Sequence, residues 1–237
     1  MIEKYTSICL PGGEWLKPIL TALKSAGLKY ENGGERDYGY TFWPIPLLMV
    51  VVRATEVPSC IYDPDTIANI GLTGSDVTTD QGISTPDVFP LYELEPEIGC
   101  FPRPRVILGA TPNLINKVSQ PQLADLQGST IYTSYSGLTK KFLTKNNVAA
   151  TIKTRGGKIE RQWQLDPNNL AIVDITSSGS TTKANGIQEM QTIMQPGVVF
   201  VRSPQISRQD QERIDDLREK IQLEILKRKD CYESNIT

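Results

Sequence analysis

The sequence contains no histidine in its 237 residues. This absence excludes Ser-His and Cys-His nucleophilic catalysis, imidazole general bases and most zinc enzymes. The four cysteines form no CxxC pair, so they indicate neither a zinc site nor a disulfide framework, and they suit the reduced state of the cytoplasm. Any chemistry must therefore rest on carboxylates, Arg and Lys side chains, hydroxyls and backbone amides, with or without Mg²⁺.

Long apolar runs and a strong net charge are also missing. The longest apolar run, Leu47–Val52, suits a buried strand and is far too short to span a membrane. The first residues, Met1–Tyr5, lack the basic residues followed by an apolar stretch that are typical of a secretory signal. A formal net charge of −2 gives no basic surface for nucleic acid. We therefore expect a cytoplasmic protein with neither a membrane nor a nucleic-acid partner.

Strand-like and helix-like segments alternate along the chain, which indicates an α/β fold. The predicted strands are Ser7–Leu10, Leu47–Arg53, Ala68–Thr73, Val106–Ala110, Ser129–Thr133, Thr151–Thr154, Leu170–Ile175 and Val198–Arg202. The predicted helices are Leu16 to near Gly27, Val57–Tyr62, Ser136–Asn146 and Ser207–Arg228. Residues 76–105 are rich in Pro, Gly, Asp and Glu, so we predict a long irregular segment there.

The simplest architecture for this order of segments is two α/β lobes. We predict that residues 1–104 and 187–237 form domain I and that residues 105–186 form domain II. The chain would cross between them around residues 90–105 and again after Gly186. Open α/β sheets bind ligands at the carboxyl ends of their strands, so a cleft at those ends is the expected active site.

The strongest local signal is L-A-I-V-D-I-T-S-S-G-S-T-T-K-A-N-G, residues 170–186. An apolar strand ends at Asp174, a loop of small hydroxyl residues surrounds Gly179, and a helix follows. Glycine permits a tight turn, and amides at a helix N-terminus favour an anion. Four hydroxyl side chains add donors: Ser177, Ser178, Ser180 and Thr181. The loop Thr176–Thr182 is thus predicted to bind phosphate, although it matches neither the Walker nor the dinucleotide motif.

Two questions about this segment stay open at the local level. Ser, Thr and Gly after a strand can form nothing more than a loop and a helix cap. Asp174 either holds ribose hydroxyls, directly or through Mg²⁺, or is a helix-capping, solvated carboxylate. The order of other motifs along the chain favours the phosphate-binding interpretation.

Asp174 to Gly186 resembles the phosphoribosyl-pyrophosphate loop of the ATP phosphoribosyltransferase family, D-x-V-x-T-G-x-T-L-x-x-N-G. Further segments resemble family motifs in the same order over nearly the whole chain: Ile8–Leu28, Val52–Pro58, Ile70–Val77, Thr133–Tyr135 with Lys141 and Phe142, and Gly157–Glu160. The sequence is similar to the short, catalytic-core form of the family, without its histidine-binding regulatory domain.

The resemblance implies a two-lobed α/β fold of the type II periplasmic-binding-protein-like kind, with a cleft between the lobes. It implies transfer of the 5-phosphoribosyl group from phosphoribosyl pyrophosphate to N1 of ATP, or to a related nucleotide or base, with release of pyrophosphate and with Mg²⁺ present. A homo-oligomer, such as a dimer, and a regulatory subunit related to histidyl-tRNA synthetase are also implied. Such a reaction depends on positioning and electrostatic stabilisation, which a chain without histidine can supply.

The same resemblance assigns roles to individual residues. The implied catalytic residues are Arg53, Asp174 and Glu160. The implied substrate-binding residues are Ser177, Ser178, Gly179, Ser180, Thr181, Gly12, Gly13, Arg36, Thr133, Tyr135 and Lys158. Arg53 matches an arginine that contacts nucleotide or leaving phosphates, because a guanidinium is a planar fork of donors. The alternative for Arg53 is a surface ion pair at the end of a strand.

Several positions depart from the family pattern where a substrate would be read. Gly12-Gly13-Glu14 replaces K-G-R, Leu170 replaces an acidic residue, Asn69 replaces an aspartate and Lys158 replaces a serine. The change in the first loop removes two positive charges and adds a negative one, which weakens anion binding in a partly desolvated cleft. Two hypotheses follow: a divergent phosphoribosyltransferase, or a non-catalytic regulatory paralogue that binds the same ligands.

Overall fold

The computed structural model describes residues 6–12, 16–25, 29–30, 39–43, 45–63, 68–83, 89–91, 104–208, 210–212, 214–220 and 223. These residues form a mixed α/β fold with two sheets. The chain divides into two units, each with its own sheet. The first unit contains the described residues of 1–78, 84–99 and 197–237, and the second contains those of 79–83 and 100–196.

Strands and helices alternate along the described residues. The strands are β1 (Thr6–Pro11), β2 (Lys29–Tyr30), β3 (Gly39–Trp43), β4 (Ile45–Val52), β5 (Ile70–Gly74), β6 (Phe89–Leu91), β7 (Arg105–Ala110), β8 (Thr130–Thr133), β9 (Thr151–Thr154), β10 (Asn169–Thr176), β11 (Gln188–Met194) and β12 (Val198–Arg202). The helices are α1 (Leu16–Ser25), α2 (Val57–Tyr62), α3 (Ser75–Asp80), α4 (Pro112–Ile115), α5 (Ser136–Lys145) and α6 (Ser180–Ala184). Residues 208, 210–212, 214–220 and 223 are also helical, and short 3₁₀ helices run over Ala54–Glu56, Leu123–Leu126 and Ile159–Gln164.

The first unit is built on a seven-stranded sheet in the order β2-β3-β4-β1-β5-β12-β6. Strand β1 pairs in parallel with β4 and β5, and β12 pairs antiparallel with β5 and β6. Successive side chains of a strand point to opposite faces, so Ile8 and Leu10 belong to one buried cluster and Cys9 to another. Helix α1 adds Ile19 and Leu23 to the first cluster.

The second unit is built on a five-stranded sheet in the order β11-β7-β10-β8-β9. Strands β8, β9 and β10 run parallel, with Thr133 opposite both Val173 and Thr154. Strand β7 pairs antiparallel with β10 and with β11. The carboxyl ends of the three parallel strands therefore meet at one edge of the sheet, which is where α/β sheets usually bind ligands.

The structure confirms the mixed α/β fold, and it also differs from several expectations. Residues 76–105 are not irregular throughout, because all but the first residue of α3 and all of β6 lie within that range. Residues after Gly186 form β11, which pairs with β7, so residues 187–196 lie in the second unit rather than with domain I. Residues 79–83 also lie in the second unit. Within the described part of the chain, no helix is long and apolar enough to cross a membrane.

Candidate functional site

The predicted phosphate-binding loop connects β10 to α6. Gly179 is the N-cap of α6 and has a φ of +73°. That left-handed conformation favours glycine, because a Cβ would strain it. The carbonyl of Gly179 accepts from the backbone N–H of Lys183 at 3.0 Å and from Thr182 Oγ1 at 2.8 Å, which closes the first turn of α6.

Some donors of this loop are used locally and others are not. The N–H of Gly179 donates to Thr176 Oγ1 at 3.2 Å, and the N–H of Ser180 donates to Ser178 Oγ at 3.2 Å. The backbone N–H groups of Ser178, Thr181 and Thr182 have no acceptor among the residues that the structure describes. Three side chains of the loop are exposed: Ser178, Ser180 and Thr181. The hydroxyls of Ser178 and Ser180 hydrogen-bond each other at 2.8 Å. The loop therefore lies at the surface with three backbone amides and the hydroxyl of Thr181 available to an anion.

Asp174 lies on β10, just before this loop. Its Oδ1 accepts from Ser134 Oγ at 3.1 Å and from the backbone N–H of Ile175 at 2.9 Å. The pKa of Asp174 is raised to about 6, chiefly because burial disfavours the charged form. The two hydrogen bonds lower this pKa and the nearby Glu160 raises it. At neutral pH the carboxyl is mostly ionised and able to accept hydrogen bonds from hydroxyl groups.

Glu160 lies on the 3₁₀ helix Ile159–Gln164 and is only 8% exposed. The charge of Glu160 is among the causes that raise the pKa of Asp174. Among the described residues, no group of three or more His, Cys, Asp or Glu could hold a metal ion. Mg²⁺ usually takes one or two carboxylates together with substrate phosphates, so Asp174 and Glu160 fit an ion that arrives largely with its substrate.

Thr133 and Tyr135 lie at the carboxyl end of β8 and are buried. Thr133 Oγ1 donates to the carbonyl of Val173 at 2.9 Å and accepts from the N–H of Tyr135 at 2.8 Å. Tyr135 packs in the core of the second unit. These contacts fix the edge of the sheet beside Asp174. Lys158 is exposed at the start of the 3₁₀ helix Ile159–Gln164.

Two further candidates, Arg53 and Gly12, belong to the first unit. Arg53 follows β4, and its side chain is 85% exposed with Nη1 at 3.9 Å from Glu56 Oε1. An exposed pair at that distance contributes little to stability, so the guanidinium is weakly held. Gly12 follows β1, and its N–H donates to the carbonyl of Val52 at 2.6 Å. Gly13 and Arg36 lie outside the described residues.

Two departures from the family pattern have structural roles. Asn69 Oδ1 accepts from the N–H and Oγ of Ser7 at 2.9 and 3.1 Å, so it ties the start of β5 to β1. Leu170 packs against the core of the second unit. We expected these changes to lie where a substrate binds. That expectation is wrong for Asn69 and Leu170, because the side chain of Asn69 joins two strands and that of Leu170 packs against the core.

Sequence reasoning missed the residues that support the loop from neighbouring strands. Arg105 on β7 donates from Nη1 to the carbonyl of Ser177 at 2.7 Å. Its Nε and Nη2 donate to Glu189 on β11, at 3.0 Å to Oε1 and 2.7 Å to Oε2. Ser134, which donates to Asp174, lies between Thr133 and Tyr135, the two residues of that family motif to which a binding role was assigned. Arg105 and Glu189 gave no local signal.

Comparison with known proteins identifies relatives of this chain. The family model for ATP phosphoribosyltransferase matches residues 53–223. The ATP phosphoribosyltransferase of Thermococcus gammatolerans is 31% identical over 185 residues, which cover 78% of this chain and 81% of that protein. The relative from Cytophaga hutchinsonii is 27% identical over 207 residues, 86% of this chain and 66% of its own length. The relative from Natronomonas pharaonis is 28% identical over 196 residues, 82% of this chain and 64% of its own length.

Solved structures share the fold. A chain of the ATP phosphoribosyl transferase (HisG:HisZ) complex from Thermotoga maritima matches with a TM-score of 0.68 at 21% identity, covering 93% of this chain and 97% of that one. Protein AF1704 from Archaeoglobus fulgidus matches with a TM-score of 0.56 at 12% identity. The chain spans just under two thirds of the length of the Cytophaga and Natronomonas relatives. Because the family model covers more than half of its residues, the chain belongs to the ATP phosphoribosyltransferase family.

Proposed function

We propose that the protein transfers the 5-phosphoribosyl group of phosphoribosyl pyrophosphate to N1 of ATP, or to a related nucleotide or base, as in histidine biosynthesis. In this reaction a bond forms between the acceptor nitrogen and C1 of the ribose, and the bond from C1 to the pyrophosphate oxygen breaks. The observation that carries the proposal is the loop after Asp174, which has three backbone amides and the hydroxyl of Thr181 available at the surface.

The loop and Asp174 suit two parts of the same donor molecule. The amides of Ser178, Thr181 and Thr182 would bind the 5-phosphate, because convergent N–H groups favour an anion. Asp174 would accept hydrogen bonds from the ribose hydroxyls, since most of it is ionised at neutral pH. Fixing the phosphate and the ribose together would hold C1 in place for attack by the acceptor.

Mg²⁺ is part of this proposal. When bound, it would neutralise charge on the pyrophosphate group. Asp174 and Glu160 would hold it together with phosphate oxygens, since carboxylate oxygens are ligands that Mg²⁺ prefers. Arg53 is proposed to contact the leaving phosphates, because its exposed guanidinium is weakly held by Glu56.

The wider setting is also proposed from family membership. We expect a cytoplasmic homo-oligomer, such as a dimer, with a periplasmic-binding-protein-like cleft between two lobes. The Thermotoga protein forms a HisG:HisZ complex. We extend that expectation to this chain, which would bind a regulatory subunit related to histidyl-tRNA synthetase.

A second function is a regulatory paralogue that binds these ligands without turnover. The observation that favours it is the first loop, where Gly12-Gly13-Glu14 carries a negative charge in place of two positive ones. Loss of positive charge beside a leaving pyrophosphate slows its departure more than it weakens the binding of the ribose phosphate, which has its own loop.

The decisive experiment measures pyrophosphate release by the purified protein. It uses phosphoribosyl pyrophosphate, Mg²⁺ and a panel of nucleotides and bases, with and without a candidate regulatory subunit. We expect release with a purine nucleotide and its loss in Asp174→Asn. Binding of phosphoribosyl pyrophosphate without release under any condition would favour the regulatory paralogue, and absence of both would contradict both functions.

A further inference from the structure

We propose that Arg105 is a positioning residue for the phosphate-binding loop and that Glu189 holds Arg105 in place. The proposal rests on the proposed function in one respect, namely that the loop binds the phosphate of phosphoribosyl pyrophosphate. It assigns a role to two residues, on β7 and β11, that no motif of the loop contains.

The register of the sheet brings Arg105 to the loop. Arg105 stands opposite Thr176, the last residue of β10, across the antiparallel β7–β10 pair. Glu189 on β11 stands opposite Gly109 of β7, and its side chain extends along the strand to reach the guanidinium of Arg105. The guanidinium is thus placed where β10 ends and the loop begins, 72 residues away from Ser177 in sequence.

All three parts of the guanidinium fork are used. Nε and Nη2 donate to the two oxygens of Glu189, and Nη1 donates to the carbonyl of Ser177 at 2.7 Å. Such a paired geometry fixes orientation more firmly than a single ion contact does. The hydrogen bond with Arg105 lowers the pKa of Glu189, so the pair stays ionised at neutral pH.

Holding the carbonyl of Ser177 also orients the next N–H. The peptide unit is planar and trans, so its N–H points away from its carbonyl. When Arg105 holds the oxygen, the N–H of Ser178 is aimed to the opposite side, and it has no acceptor among the described residues. Arg105 Nη2 also lies 3.7 Å from where a Cβ on Gly179 would stand, so the Arg105–Glu189 pair, here called the clamp, lies beside the turn at Gly179.

The contribution is positional rather than electrostatic, because Glu189 balances the charge of Arg105. A positional role and an electrostatic role predict opposite effects of Glu189→Gln on the binding of an anion. Glu189→Gln leaves a net positive charge beside the loop, which would tighten the binding of an anion if charge were the main effect. If Arg105 acts by position, the same variant releases the guanidinium and weakens binding.

The test measures binding of phosphoribosyl pyrophosphate with Mg²⁺ by calorimetry on the full chain. We expect the Kd to rise about tenfold in Glu189→Gln and in Arg105→Ala, as for loss of one charged hydrogen-bonded contact. Arg105→Lys should stay close to Arg105→Ala, because an ammonium cannot make the fork. Lys153→Gln is the control: it removes the 2.8 Å ion pair with Asp166 in the same unit and should leave the Kd within about twofold.

A second measurement needs no ligand. Amide hydrogen exchange of Gly179 and Ser180, whose N–H groups donate within the loop, should become faster in Glu189→Gln and Arg105→Ala, and stay unchanged in Lys153→Gln. Tighter or unchanged binding by Glu189→Gln overturns the proposal, as does unchanged exchange in both clamp variants. If Arg105→Ala does not fold, Glu189→Gln carries the test alone. Failure of the wild-type chain to bind phosphoribosyl pyrophosphate sinks the proposed function, while the exchange data still decide whether Arg105 orders the loop.

Discussion

Among single residues, Asp174 has a proposed role in substrate binding and also makes the stability of the protein depend on pH. Its pKa in the folded chain is about 6, compared with an ordinary value of 3.8. Between these values the folded state binds more protons than the unfolded state. The stability that the protonated carboxyl provides is therefore fully present below pH 3.8 and is lost as pH rises through 6.

Asp174→Asn should thus stabilise the protein in a pH-dependent way. An amide resembles the protonated carboxyl and avoids the cost of burying a charge. Above pH 7 we expect its free energy of unfolding to exceed that of the wild type by up to about 3 kcal/mol, the equivalent of roughly two pKa units. Urea denaturation at pH 4, 6 and 8 checks this. The gain should vanish toward pH 4, and a gain that is independent of pH would contradict the proposed charge burial.

Gly179 offers a second prediction, because the structure provides a matched glycine elsewhere. Gly179 has a φ of +73° and Gly128 a φ of +71°. An alanine at either position meets no atom closer than 3.7 Å, so both substitutions cost conformational strain of about 1 kcal/mol. Thermal denaturation should show similar losses for the two variants.

Only Gly179→Ala should also weaken binding of phosphoribosyl pyrophosphate, because Gly179 lies in the loop. Calorimetry on both variants separates the two effects. If Gly128→Ala lost as much affinity as Gly179→Ala, the loss would reflect general destabilisation and the assignment of the loop would be wrong.

At the level of elements, helix α5 is capped by a residue from a distant segment. No side chain at its own N-cap provides a hydrogen bond. Instead, Asp80 Oδ1 accepts from the N–H of Leu138 at 2.8 Å, and Lys141 Nζ donates to the carbonyl of Thr79 at 3.1 Å. The segment 79–83 is thus attached to the N-terminal half of α5, which begins directly after Thr133–Tyr135.

Gly137 permits this close attachment, so Gly137→Ala should destabilise the protein. A Cβ at this position would overlap the backbone carbonyl of Asp80, which cannot move without moving its segment. We expect a loss of about 2 kcal/mol or more in urea denaturation. Gly156→Ala is the control, because no atom lies within 4 Å of its Cβ position. Equal stability of the two variants would show that segment 79–83 does not need this contact.

The elements also show which parts of the fold the sequence can predict. The apolar strands β1, β7 and β10 were predicted because they are largely buried, and β4 was predicted from its apolar run, although most of its described side chains are only half-buried. Strand β11 was missed because its sequence, Q-E-M-Q-T-I-M, is polar along most of its exposed length at the edge of the sheet. A polar edge strand gives little hydrophobic periodicity, and only its pairing with β7 identifies it.

The candidate site also contains residues that the sequence can predict and residues that it cannot. Asp174 and the loop Thr176–Thr182 were predictable because strand, loop and helix are contiguous in sequence. The contact between Arg105 and Glu189 joins residues 84 positions apart, and it depends on the register of three antiparallel strands. No local pattern contains that register, so neither residue was found from sequence.

On the scale of the whole molecule, the two units have separate cores. The second unit has two clusters whose members all fall between residues 106 and 194. The clusters of the first unit draw on residues from 8 to 72 and again from 198 to 217. The second unit is therefore almost continuous in sequence, whereas the core of the first unit forms only when distant segments of the chain pack together.

This difference predicts that residues 100–196 fold as an isolated fragment. Both of their clusters are complete without the rest of the chain, and the five-stranded sheet keeps every pairing. The fragment lacks Asp80, so its free energy of unfolding should rise by about 1 kcal/mol when residues 79–83 are restored by extending it to residue 79. Circular dichroism during urea denaturation should show one cooperative transition for each fragment.

Amide exchange then tests whether the site belongs to this unit alone. Asp174, the loop and the Arg105–Glu189 pair all lie within residues 100–196. Exchange of residues 177–182 in the fragment should match that in the full chain, because every contact that orders the loop is present. A fragment that folds but shows faster exchange of Gly179 and Ser180 than the full chain would mean that the first unit, and not the Arg105–Glu189 pair, orders the phosphate-binding loop.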